Sequence, residues 1–357
     1  MTKLGEQSSY SKSQINGVTG DILWPDARRL RADWVELKNR VDKEPLSHNF
    51  FQSQTNSITA DIFKLCLEIE AAKLDPDQIK SAKQRFLLEF KDFVRFGSLN
   101  RLVMDKLYGY AGDFYVIDQI YQKNPKTIGF ERCMDEHFLN SPASVATRNR
   151  KEDFKGYLIN FIRPLNTEVR IMNLACGPCR DVVEMLTTLK SNHDFCLNSK
   201  KIIIDCIDHD VNALNYAKRI LDAHVNELVP NITIRLVQKN ALRISLAKNV
   251  KKYLPEEYNL IYSTGLFDYL EDKLAIPLIK NLKASLKQDG MLIISNYLEN
   301  YKNPSRVFMD WGVDWQIVYR SEEEFRSLFE RAGFSKTSLR MEFEKQGIMQ
   351  YCFASNR

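Results

Sequence analysis

Long apolar runs are missing from this sequence: no stretch of its 357 residues reaches the ~18 to 20 consecutive apolar positions that a membrane-spanning helix needs. The segment Met1 to Gly20 is polar and lacks the basic-then-apolar layout of a secretory leader, which predicts a cytoplasmic protein with no membrane span. Charge of one sign is missing too. The 51 Lys+Arg face 46 Asp+Glu, and a formal +5 dispersed along the chain does not mark a nucleic-acid surface. Cysteine follows no framework: Cys66, Cys133, Cys176, Cys179, Cys196, Cys206 and Cys352 are seven, an odd number with irregular spacing, which suits reduced thiols better than disulfides. No second Cys/His pair at ligand spacing accompanies Cys176 and Cys179, so no metal is predicted. Histidine is scarce, and His48, His137, His193 and His224 stand among polar neighbours as surface residues. A complete G-x-G-x-x-G is absent, which argues against a dinucleotide.

What is present is an ordinary globular composition, 44% hydrophobic and 27% charged, in a chain long enough for two domains. Residues 1–22, rich in Ser, Gly, Gln and Thr, predict a flexible arm. Residues 23–163 read as an all-helical cap domain. Apolar positions recur at three- and four-residue spacing in Ile62-Phe63-Leu65-Cys66-Ile69 and in Phe86-Leu87-Phe90-Phe93-Val94, with a boundary at Asp75-Pro76. Gly109-Tyr110-Ala111-Gly112-Asp113-Phe114-Tyr115 interrupts that pattern. As a connector it would have Gly112 at positive φ and Asp113 capping the next helix; as a lid it would turn Tyr110 and Asp113 toward a ligand.

From residue 164 to 357 short β-rich runs alternate with helices. Strands are predicted at Val169 to Leu174, Ile202 to Ile207, Ile232 to Val237, Asn259 to Ser263 and Gly290 to Ser295, with a final pair near Ser338 to Phe343 and Ile348 to Ala354. The intervening helices imply a doubly wound, Rossmann-like parallel sheet of the α/β class. The last pair is joined by too few residues for a crossover, so the final strand must run antiparallel.

The chain is organised around Val169 to Asp181, V-R-I-M-N-L-A-C-G-P-C-R-D: a buried strand, a small-residue turn, then a helix start. Two chemistries compete for the turn. Cys176-Gly177-Pro178-Cys179 has the letters of the thioredoxin active site, so a thiol-disulfide enzyme using Cys176 and Cys179 is one reading. S-adenosylmethionine binding is the other. Asp208 closes the second strand, where a carboxylate can accept both hydroxyls of a ribose, and Asp210 starts the following helix. The third strand ends at Asn240-Ala241, where an amide can meet an adenine edge, and the fourth at Ser263-Thr264-Gly265 on the same sheet edge.

On these motifs the chain resembles the class I S-adenosylmethionine-dependent methyltransferases from about Glu168 to its end. The resemblance implies a seven-stranded sheet and S-adenosyl-L-methionine as cofactor. Ala175, Cys176, Gly177 and Pro178 would lie against its methionine portion, with Asp208 on the ribose. His209, Asn240 and Ala241 would flank the adenine, and Ser263, Thr264 and Gly265 the methyl group. Lys287-Gln288-Asp289-Gly290-Met291-Leu292 looks like the loop leading into the fifth strand. Asn173 stands where the family often has an aspartate, and Cys179 replaces the motif's last glycine.

A narrower resemblance rests on Gly109 to Asp113, Ala146-Thr147-Arg148-Asn149-Arg150, Leu174 to Arg180, Gly265-Leu266-Phe267-Asp268-Tyr269-Leu270 and Asp314 to Arg320. These look like the bacterial methyltransferases of extracellular-factor biosynthesis, the methyl ester of 3-hydroxypalmitic acid. That implies a small or lipid-like substrate and carboxyl O-methylation of a hydroxy fatty acid, a reaction that needs no general base because the acid is already ionised. Tyr110, Asp113, Tyr262, Asp268, Tyr319 and Arg320 are then expected around the methyl group, with Tyr115, Tyr269 and Trp315 near them and Arg320 forking onto a carboxylate. A protein or nucleic-acid acceptor stays open as the alternative.

Overall fold

The computed structural model describes residues 24–41, 43–44, 47–72, 75–165, 168–191, 201–224 and 231–357. The predicted arm, residues 1–22, and His193 lie outside them. Along the chain the first helices are α1 (Trp24–Val41), α2 (His48–Ala71), α3 (Pro76–Val94), α4 (Ser98–Asp105), α5 (Phe114–Gln122), α6 (Gly129–Asn140) and α7 (Pro142–Ile162). The alternating part then follows: β1 (Val169–Leu174), α8 (Arg180–Ser191), β2 (Ile202–Asp208), α9 (Val211–His224), β3 (Ile232–Gln238), α10 (Ala241–Ser245), β4 (Tyr258–Ser263), α11 (Asp272–Lys283), β5 (Leu286–Tyr297), α12 (Glu322–Arg331), β6 (Leu339–Phe343) and β7 (Met349–Ser355). No helix among the described residues is long and apolar enough to cross a membrane.

The chain divides into two compact units, and the division does not fall at residue 163. One unit holds residues 1–107, 125–140 and 307–315; the other holds 108–124, 141–306 and 316–357. Helices α5 and α7, read from sequence as parts of the cap, therefore belong with the sheet. In the helical unit the Asp75-Pro76 boundary is a reciprocal cap: the Asp75 carboxylate accepts from Gln78 N at 2.9 Å, and the Gln78 side chain accepts from Asp75 N at 3.1 Å. Its core is aromatic, with Trp34 on Phe93 at 5.5 Å and Phe86 edge-on to Trp311 at 5.8 Å between centroids.

The other unit is built on a seven-stranded sheet of order β3-β2-β1-β4-β5-β7-β6. The first five strands pair in parallel, while β7 runs antiparallel to both β5 and β6. Parallel strands covered on both faces must be apolar throughout, and β2, Ile-Ile-Ile-Asp-Cys-Ile-Asp, is buried at every position. Its Asp205 is tolerated because Arg235 pairs with it and the Tyr258 hydroxyl donates to it at 2.9 Å. Strand β5 begins at Leu286, so Lys287-Gln288-Asp289 lies inside it and not in a preceding loop. The order reverses between β1 and β4. Such a switch leaves a crevice at the C-terminal strand ends, and the motif residues lie there.

Candidate active site

Strand β1 ends in a turn whose backbone is left-handed at Ala175 (φ 56°), Gly177 (φ 51°) and Cys179 (φ 54°). Two of the three are not glycine, a local cost of about 1–3 kcal/mol each that clusters at functional sites. Hydrogen bonds fasten this turn to its neighbours: Cys176 N donates to Ile207 O at 3.0 Å, and Ser263 Oγ donates to Leu174 O at 2.8 Å. Ser295 Oγ reaches Thr264 O at 2.5 Å, so the ends of β1, β2, β4 and β5 are tied into one rim.

Asp208 is the charged centre of that rim. Its Oδ2 accepts from Gly177 N at 3.0 Å and its Oδ1 from Asp210 N at 3.0 Å, with His209 Nδ1 at 3.4 Å. Burial pushes the carboxyl up, but the His209 contact and the two backbone N–H groups outweigh it and hold Asp208 below the usual carboxylate range. It is ionised, and Oδ2 keeps a second lone pair for a ligand hydroxyl, while Asp210 N and His209 share Oδ1. Asp210 serves the helix instead, where its Oδ1 accepts from Asn212 N at 2.8 Å and caps α9. Asn240 likewise caps α10 through Leu242 N at 2.8 Å.

The Gly109–Tyr115 turn belongs to the sheet unit. Asp118 on α5 is fully buried and receives Arg180 from the start of α8, by paired contacts with Nη2 at 3.0 Å, and the Tyr216 hydroxyl from α9 at 2.6 Å. That triad fixes the turn, and Tyr110 then lies 6.5 Å from the His209 ring and 6.1 Å from Tyr269. Burial raises the Tyr110 hydroxyl, and the charges of Asp208 and Asp113 raise it further, so it stays protonated. The positive φ in this turn is at Gly109 (93°), not at Gly112.

Several expected site residues have other roles. Asp113 accepts from Tyr115 N and Val116 N at 2.9 Å each, so it caps α5. Tyr262 is fully buried, its ring against Phe154 and its hydroxyl donating to Asp181 at 2.5 Å. Arg320, 3% exposed, is saturated: Nε meets Asp272 Oδ1 at 3.1 Å, Nη1 meets Phe267 O and Asn296 Oδ1 at 3.2 Å each, and Nη2 meets Leu270 O at 2.5 Å. It clamps the segment after β4 and has no fork left for a carboxylate. Tyr319 accepts from Asn303 Nδ2 at 3.1 Å. Trp315 lies in the helical unit, and residues 314–319 form no helix. Asp268 remains at the centre, accepting from Asn296 Nδ2 and Tyr297 N at 3.0 Å each and from Arg150 Nη1 at 3.2 Å. Burial pushes its carboxyl up against the pull of Arg150.

Arg150 entered the sequence reading only as the last residue of a resemblance motif, with no role at the site. The signal was available, since on α7 it shares one buried stripe with Ala143, Ala146, Thr147, Phe154 and Leu158, where a charge needs a reason. The thiols do not suit redox exchange. The bond from Cys179 pulls the Cys176 thiol down, but burial and the neighbouring Cys206 and Asp208 leave it at about 12. Cys179, which donates that bond, is buried and held well above its ordinary value. A nucleophilic cysteine needs the opposite shift. No group of three or more His, Cys, Asp or Glu among the described residues could hold a metal ion.

A family model described as "Putative methyltransferase" matches residues 38–356. No curated protein matches the chain. Among solved structures, a Bordetella parapertussis protein described as a possible exported protein is similar at 19% identity, covering 97% of this chain and 99% of that one, with a TM-score of 0.53. The magnesium protoporphyrin IX methyltransferase of Synechocystis PCC 6803, solved with bound S-adenosylhomocysteine, is 10% identical, covering 71% of this chain and 98% of that one, with a TM-score of 0.46.

Proposed function

The chain belongs to the methyltransferase family whose model spans residues 38–356, and from that premise we propose that it binds S-adenosyl-L-methionine at the β1–β4 strand ends and methylates a carboxyl oxygen of a hydroxy fatty acid. The residues fit such a cofactor. A Cβ built on Gly177 would meet only Phe114 Cβ, at 3.8 Å, so the turn leaves its backbone open to a ligand. Ala175, Cys176, Gly177 and Pro178 would hold the methionine portion, the ionised Asp208 the ribose, His209, Asn240 and Ala241 the adenine, and Ser263, Thr264 and Gly265 the methyl end. When bound, S-adenosyl-L-methionine supplies the methyl group: the methyl–sulfur bond breaks with its electron pair going to sulfur as an acceptor oxygen's pair forms the new bond.

The observation that carries the carboxyl reading is the lack of an available base among the described site residues. The Tyr110 and Tyr262 hydroxyls are raised by burial first. Asp113 and Asp268 are engaged with N–H donors, and His209 is bound to Asp208. An acceptor that arrives ionised, as a carboxylate of pKa ~4 does, needs none of them. What these side chains must do is position the acceptor and exclude water. The mixed charge of the chain favours a small or lipid-like acceptor over a macromolecule.

S-adenosylmethionine and S-adenosylhomocysteine are each expected to raise the melting temperature, since ten times Kd adds about 1.4 kcal/mol. No shift with either compound would overturn the cofactor assignment. Incubation with 3-hydroxypalmitic acid should then give its methyl ester by mass spectrometry. Tyr110→Phe is expected to lower kcat or cofactor affinity about tenfold, ~1.4 kcal/mol, with an unchanged melting curve. Normal turnover in that variant would reduce the Gly109–Tyr115 turn to a connector.

A further inference from the structure

Two arginines are buried at the C-terminal edge of the sheet, and they differ in one respect. Arg320 places every nitrogen of its guanidinium on an acceptor. Arg150, 4% exposed, does not: Nη1 meets Asp268 Oδ2 at 3.2 Å, the Tyr121 hydroxyl is bonded to the guanidinium, and Nε has no hydrogen-bond partner. A buried charged donor without an acceptor is costly unless a ligand completes it. The location says which ligand. A Cβ built on Gly265 would come 3.5 Å from Arg150 Nη2 and 3.8 Å from Nη1, so the guanidinium lies against the loop after β4 with no side chain at 265 between them.

Charge points the same way. Arg150 and Asp268 form a neutral pair when both are ionised, so the site favours a ligand set that is neutral in sum. A carboxylate acceptor beside a sulfonium is such a set. We propose that Arg150 is the residue that anchors the acceptor's carboxylate, Nε–H donating to one carboxylate oxygen and leaving the other for methylation. Asp268 orients the guanidinium from the far side, and Asn296 and Tyr297 N orient Asp268 in turn. This assignment rests on the carboxyl O-methylation reading, and it transfers to Arg150 the role that the sequence suggested for Arg320.

The test uses the full chain saturated with sinefungin, an analogue whose ammonium supplies the positive charge of the sulfonium without a transferable methyl, titrated calorimetrically with 3-hydroxydodecanoate, a shorter and more soluble hydroxy fatty acid, and with its uncharged methyl ester. The wild type is expected to bind the acid about 30-fold more tightly than the ester, the scale of a charge-assisted hydrogen bond in a buried site. In Arg150→Gln that ratio should fall below about threefold, while the affinities for the ester and for sinefungin stay at wild-type values. A purely structural Arg150 would weaken acid and ester together. Should Arg150→Gln fail to fold, Arg150→Lys decides: it keeps a cation for Asp268 but loses Nε, and the acid preference should drop about tenfold. An acid preference that survives in the folded variant overturns Arg150 as the anchor and leaves the carboxyl reading standing. A wild type without acid preference overturns both.

Discussion

Replacing Arg320 with alanine is expected to cost about 3 kcal/mol of folding stability, because it strands buried acceptors. The guanidinium is the donor for Phe267 O, Leu270 O and Asn296 Oδ1, all inside the protein, and for the half-exposed Asp272. Asp272 will rehydrate when its partner is removed, so most of the loss comes from the carbonyls. Those carbonyls belong to the turn after β4 that also carries Asp268, and Asn296 bridges Arg320 to Asp268. Loosening of that turn should therefore appear as a denaturation midpoint shifted down with an unchanged m-value. Arg320→Lys keeps the charge but cannot reach the diverging acceptors, and is expected to recover less than half of the loss. Urea titrations of the three proteins decide the matter. A wild-type midpoint in Arg320→Ala, combined with a raised KM for the acid, would return Arg320 to the substrate.

Strands β1, β2 and β4 were legible because each is buried along nearly its whole length and has to be apolar there, and edge strand β3 because its apolar positions are framed by turn residues. Val169 to Leu174 stands in the fold with the bounds its composition predicts, and β2 and β3 each extend one residue further. The start of β5 was not legible. Lys287-Gln288-Asp289 is polar without alternation, and its pairing with β4 contains a register shift between Tyr258 and Leu260, with Asp289 itself left-handed at φ 59°. Helix periodicity identified α5 and α7 as helices but carries no information about which partner a stripe covers, so both were grouped with the cap.

Site residues divide in the same manner. Positions at strand ends, such as Gly177, Asp208 and Ser263, could be located because the sheet fixes where its ends are. The two arginines could not be ranked. A sequence displays the charge of Arg320, but the acceptors that consume it are main-chain carbonyls of residues 267 and 270, groups present at every position and visible only once the turn is folded. Asp113 shows the converse. Its place before a helix gave the capping role, and the competing lid role came from its neighbours Gly109 and Tyr110.

Asp208→Ala should weaken S-adenosylhomocysteine binding by about 2–3 kcal/mol, roughly 30- to 150-fold, if the carboxylate makes the charge-assisted hydrogen bonding to the ribose proposed for it. The same side chain holds Gly177 N and Asp210 N, so folding stability is expected to fall with it, by about 1–3 kcal/mol for donors left unpaired. Asp210→Ala separates the two effects. It removes the bonds to Asn212 N and Nδ2, which should cost about 1 kcal/mol of stability and leave affinity near wild type. The pH dependence has a defined sign. Asp208 is held below its ordinary value, so its contribution is complete above about pH 4, the unfolded value, and is lost as pH falls through the folded one. His209 is held above its ordinary 6.5, chiefly by the hydrogen bond to Asp208, so its smaller, solvent-screened contribution is complete below that value and is lost as pH rises through the folded one. Stabilisation by the pair is therefore greatest between those limits. An NMR titration should place the His209 midpoint above 6.5 in the wild type and lower in Asp208→Asn. Unchanged cofactor affinity in Asp208→Ala, with the His209 midpoint lowered, would show that the acid holds the rim together without touching the ribose.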